Sequence, residues 1–123
     1  MPRLLKELHL LMLSERAKKL IAEQQHIYID SMPAKKLAIQ QCMAQVKAVA
    51  GSGAPDLCDK LFQHVHRLAG SAGSYGFDSL GQAASIVDRY LISNSPGVGD
   101  LTELAGMLQN LLTEIDDIVQ KNS

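Results

Sequence analysis

LCDKLFQHVHRLAGSAGSYGF, residues 57–77, is the stretch whose reading decides the fold. At about 100° per residue, Leu57, Leu61, Val65, Leu68 and Ala72 gather within about 80° of one another, which predicts an amphipathic helix with that side on a core. His66 lies about 140° from the middle of the stripe and faces outward, and Asp59, Phe62, Gly70 and Gly73 share its side. Glycine costs a helix interior about 1 kcal/mol relative to alanine, so Gly70, Gly73 and Gly76 need a reason. Gly70 and Gly73 stand four and seven residues after His66, on its own ridge, and leave that ridge bare beside the imidazole. Two readings stay open: access for something bulky, or a close crossing by another helix. Gly76 extends the strip and suits a left-handed terminator.

Outward from this helix, the rest of the chain also reads as helical. Leu4, Leu8, Leu11, Ala17, Leu20 and Ile21 recur at helical steps over residues 3–29, with polar residues around Ser14 as a place where that helix bends or divides. Asp30-Ser31-Met32-Pro33 reads as a stop and restart, with Ser31 as a cap and Pro33 in the first turn of a helix over about 33–50. Gly51 to Pro55 reads as a loop, and Pro55-Asp56 opens the helix that carries His66. Asp78 or Ser79 starts a fourth helix presenting Leu80, Ala83, Val87 and Leu91, which runs to the loop SNSPGVG. After Asp100 a last helix carries Leu101, Leu104, Leu108, Leu111, Ile115 and Ile118 to about residue 120.

No segment alternates with period two, and no hairpin signal separates two apolar runs. Short connections make successive helices antiparallel neighbours. The expected fold is therefore all-α: an antiparallel up-down four-helix bundle with an additional N-terminal helix. One domain over 1–123 is expected, with the core bundle at about 15–120 and the extension at about 3–14.

Composition narrows the functions. Of 123 residues, 46% are hydrophobic and 20% charged, so the chain is built to fold; aromatics are only 4%, so Leu, Ile, Val, Ala and Met must fill the core. A net charge of −1 provides no field to recruit nucleic acid or an anionic membrane. The Leu-rich run from Leu4 to Leu13 is interrupted by Lys6, Glu7 and His9, and nothing approaches the roughly 20 apolar residues of a membrane span. Cys42 and Cys58 lack metal-ligand spacing and favour reduced thiols in the cytoplasm. His64 and His66 point about 200° apart on a helix and do not share a ligand sphere, so neither metal nor cofactor is expected.

The run His66-Arg67-Leu68-Ala69-Gly70, with Gly76 following, resembles the H-x-L-K-G pattern of histidine phosphotransfer (HPt) domains of two-component phosphorelays. Tyr28 to Pro33 before the second helix, and Phe77 and Leu80 leading into the fourth, are similar to the family as well, so the resemblance covers roughly residues 15–120. It implies a helical bundle whose exposed histidine, His66, accepts a phosphoryl group and exchanges it with the aspartate of a response-regulator receiver domain. Imidazole is a usable nucleophile at cellular pH. The implied partners are that receiver, which brings its own Mg²⁺, and a sensor or hybrid histidine kinase; the chain itself has no kinase domain. The alternative is an HPt-like docking module that binds a receiver or kinase and turns over no phosphate.

The resemblance also assigns supporting residues. Asp88, twenty-two residues after His66, stands where family members carry Gln or Glu bonded to a ring nitrogen; otherwise it is a solvent-facing acid beside Arg89. The family's lysine is Ala69 here, and Arg67 is the nearest replacement, about 100° around the helix. Gln63 either contacts the phosphoryl group or is solvated. Phe62 either anchors a partner on a surface shared with Asp59 and Ala69 or packs under the N-terminal helix. A single copy is the expected state, while the Leu-rich N-terminal face suits a dimer, a cover for a partner site or a longer core.

Overall fold

The structure, a computed structural model, describes residues 2–48, 54–93 and 101–122, with side chains from Glu7 to Val46, Asp59 to Ser93 and Leu101 to Asn122. Helix α1 spans Pro2–Asp30, α2 Met32–Ala48, α3 Ala54–Ser71, α4 Asp78–Ser93 and α5 Thr102–Lys121, with a 3₁₀ turn at Gly73–Tyr75 between α3 and α4. No strand occurs among the described residues. Of the expected loops, 51–53 and 94–99 lie outside the described residues, as do the side chains of Leu57 and Cys58, whereas Ala54 and Pro55 already belong to α3 and Ser93 still belongs to α4.

Helices α2 to α5 form a closed ring of four, each bordering the next and α5 returning to α2. Cross-links show neighbours running antiparallel. His66 on α3 meets Asp88 towards the end of α4, while Ala72, just past the end of α3, lies beside Gly81 near the start of α4. Lys36 Nζ donates to Asp116 Oδ1 at 2.6 Å, from the start of α2 to the far part of α5.

The apolar periodicity of each helix becomes the core. Leu61, Val65 and Leu68 of α3 and Ala72 just after it are buried, as are Leu80, Ala83, Ala84, Val87 and Leu91 of α4. Leu104, Leu108, Leu111, Ile115 and Ile118 of α5 join them, with Leu101 half-buried at the edge. Full burial of one such aliphatic side chain is worth roughly 1.5–3 kcal/mol, so this stripe fixes the rotation of α3 and with it the outward aim of His66. Cys42 is a free, buried thiol of the same core.

The first helix departs from expectation. It is unbroken through Ser14, and residues 7–24 are all exposed, so Leu8, Leu11, Ala17, Leu20 and Ile21 do not enter the core. Contact with the bundle starts at Gln25, later than the expected boundary near residue 15. Helical spacing reveals that apolar residues recur but not whether another helix lies within reach. Ser31 does separate α1 from α2, yet its hydroxyl does not cap α2. It donates to Tyr28 O at 2.6 Å, and Lys35 Nζ donates to it at 2.8 Å. The Ser31 carbonyl instead accepts the backbone N–H of Lys35.

Candidate functional site

Three turns of helix carry the site. On α3, Phe62, His66, Ala69 and Gly70 follow one another along the outer side, with Gly73 in the turn beyond; on α4, Gly81, Gln82, Ser85, Asp88 and Arg89 run past them in the opposite direction. The side chain of His66 is 64% exposed and that of Asp88 only 15%, so the carboxylate lies beneath the ring and the ring faces solvent.

His66 Nδ1 lies 3.0 Å from Asp88 Oδ1. A carboxylate can only accept, so this contact holds the proton on Nδ1 and leaves the lone pair on Nε2. The Phe62 ring stacks on the imidazole, with centroids 5.2 Å apart and planes 23° apart. Phe62 is half-buried and also packs against the core, so it is a support for the ring as well as part of its surface. Two contacts thus fix the ring's rotation from different sides.

The glycine question resolves into separate answers. A Cβ built at Gly70 would meet nothing within 4 Å, and one at Gly73 only Asp78 Oδ1 at 3.8 Å. No described helix crosses there. The bare ridge beside His66 is open space, which the crossing explanation does not fit. Gly76 has φ of +87° and ψ of +10°, the left-handed region that terminates a helix. The close approach occurs instead at Gly81, where an added Cβ would lie 3.6 Å from both Ala72 Cβ and Gly73 N. Sequence alone does not single out Gly81, because one glycine in a helical run signals nothing about which neighbour it faces.

The turn after α3 is held from α1. Gln25 Nε2 donates to Tyr75 O at 2.6 Å, and Tyr28 stacks on Tyr75 with centroids 4.3 Å apart. The Tyr28 hydroxyl shares a 2.8 Å hydrogen bond with Ser71 Oγ, and Lys35 Nζ sits 3.9 Å from the centre of the Tyr28 ring. Burial raises the pKa of Tyr28, with the Ser71 hydrogen bond opposing it, and burial lowers that of Lys35.

Other expected residues fall as follows. Asp59, Gln63 and Arg67 are exposed, and Arg67 is absent from the groove that runs past Ala69. That groove is lined by Ala69, Gly73, Asp78, Gly81, Gln82, Ser85 and Arg89. Arg89, on α4, thus lines the same groove as Ala69. The signal is present in the sequence as the neighbour of Asp88, but a partner on another helix has no fixed spacing from the histidine. Ile92, one turn beyond Asp88, is 66% exposed and adds an apolar spot on the same side. No group of three His, Cys, Asp or Glu side chains able to hold a metal occurs among the described residues. None of the described helices is long and apolar enough to cross a membrane.

Comparison with known proteins agrees with the motif. No curated protein and no solved structure matches the chain. The Hpt domain family matches residues 25–121, beginning where α1 first touches the bundle and ending at the last residue of α5. With that match over most of its length, and the helical bundle expected of a phosphorelay's histidine phosphotransfer module, the chain belongs to the Hpt domain family.

Proposed function

We propose that this chain is a phosphocarrier in which His66 Nε2 accepts a phosphoryl group and exchanges it with the aspartate of a response-regulator receiver domain. The observation that carries this reading is the 3.0 Å contact of His66 Nδ1 with Asp88, which leaves Nε2 as the free nitrogen on an open ridge. The Nε2 lone pair attacks phosphorus as the bond to the receiver's aspartate oxygen breaks, and that carboxylate leaves. The ring then carries positive charge, with Nδ1–H directed at the Asp88 carboxylate, so charge builds where a counter-charge already stands. Mg²⁺ belongs to the receiver.

Arg89 provides the cation that the family lysine would bring, reaching over Ala69 from α4 to the phosphoryl oxygens. Its support is its place in the groove and the absence of any ion pair to another described residue. The receiver docks on the strip around Gly70 and Gly73, with Phe62, Asp59 and Ile92 at its edge. A sensor or hybrid kinase feeds the relay, and dependence on ATP sets it in the cytoplasm.

Incubation with a phosphorylated receiver, followed by intact-mass measurement under alkaline handling, tests this. The chain gains one phosphoryl group that is lost in acid and is absent in His66→Gln. Binding of receivers without any gain would replace this reading with that of a docking module, the role that Ala69 favours.

A further inference from the structure

The exposed part of α1 carries a pattern that neither the core nor the histidine site uses. Leu10, Leu13, Ala17, Leu20, Gln24 and Ile27 are spaced alternately three and four residues apart, the period of a coiled-coil seam, over about 27 Å of helix. All six are exposed: Leu10 to 61%, Leu13 to 46%, Leu20 to 58% and Ile27 to 61%. A line of this length, apolar at all but Gln24 and left in water, calls for a covering surface.

We propose that α1 pairs with α1 of a second copy of this chain, antiparallel, about a two-fold axis near residues 18 and 19. In that register Leu10 meets Ile27 of the second copy, Leu13 meets Gln24, and the small Ala17 meets the large Leu20, and each pairing recurs by symmetry. Turning one helix end for end also brings like flanks together. Arg16 then lies across from Glu23 of the second copy, and Glu23 across from Arg16. Neither residue has an ion pair with another described residue of its own chain, where the one exposed pair on this helix is Lys18 with Glu15. A parallel pair would set Ala17 on Ala17 and Gln24 on Gln24, and would face Arg16 with Ile21. The sizes and the charges therefore select the same direction.

Sedimentation equilibrium of the whole chain, from micromolar to millimolar concentration, tests the pairing. The expected result is a single copy in reversible equilibrium with a mass of two copies. Leu20→Glu weakens that association at least tenfold. Arg16→Glu and Glu23→Arg each weaken it several-fold, and the two together restore it, because only the antiparallel register sets those positions against each other. A single-copy mass throughout would overturn the proposal. So would a pair indifferent to Leu20→Glu, or one that the double exchange fails to restore.

Discussion

Gly70 and Gly76 stand six residues apart, on either side of the end of α3, and the chain uses them for opposite reasons. Around Gly70 there is room for a side chain and none is present; at Gly76 the backbone itself has a conformation that side chains resist. The first glycine lowers the stability of its helix and leaves a surface open. The second is needed for α3 to end and α4 to return beside it. Open surface and backbone conformation thus account for different glycines, and the surroundings of an added Cβ separate them.

The largest effect that would break this comparison is at Gly76. Gly76→Ala forces a Cβ into the left-handed region and to within 3.3 Å of Gln25 Nε2, and is expected to cost about 2 kcal/mol, read from the urea midpoint at constant slope. A loss below about 0.5 kcal/mol would remove the distinction, since surface substitutions commonly give that much.

Gly70→Leu is expected to act in the reverse sense. Stability holds or rises by up to about 1 kcal/mol, from helix propensity, while the rate of phosphoryl transfer from a receiver falls at least tenfold, or about 1.4 kcal/mol. Equal losses in stability and rate would mean that the ridge is structural after all.

Tyr28→Phe sharpens the turn side of the comparison, because it removes the hydroxyl bonded to Ser71 and keeps the ring stacked on Tyr75. At neutral pH the cost is about 1 kcal/mol, the usual net value of one hydrogen bond. The pKa of Tyr28 is raised in the folded protein above its ordinary 10.0, so its contribution is complete below that pH and is lost as pH rises through the folded value. The stability curves of the two proteins, measured by denaturant unfolding against pH, therefore converge above about pH 10. Lys35, common to both, does not enter the difference. Parallel curves would assign the pKa shift no energetic weight.

The smallest effect is at Gly81, which like Gly70 lies within a helix but has neighbours at contact distance. An alanine Cβ there would sit at ordinary contact distance, 3.6 Å from Ala72 Cβ, so Gly81→Ala is expected to change stability by under about 0.5 kcal/mol. Thermal unfolding reads it, and a loss of several degrees would show that α3 and α4 are already at their closest approach.

Much of the site is legible in the chain's own pattern. The stripe Leu61, Val65, Leu68, Ala72 places His66 on the outside, and its exposure follows from that angle alone. The left-handed role of Gly76 is legible for the same local reason, since backbone conformation depends on the residue itself. Asp88 is legible only through the family pattern; its 3.0 Å contact needs α4 to lie antiparallel to α3 at the right height. Phe62 reads from sequence as an anchor or as packing beneath α1, whereas it stacks on the histidine ring, a contact that depends on side-chain rotation as well as spacing.

The sequence by itself determined the helices, which side of α3, α4 and α5 is apolar, and that His66 looks outward, because periodicity and propensity act within about a turn or two of the chain. Only the tertiary structure decided which of these sides found a partner. It set Asp88 beside the imidazole, brought Arg89 and Ala69 to one groove and left most of α1 in solvent, and each of those outcomes depends on distances between helices that no spacing along one helix encodes.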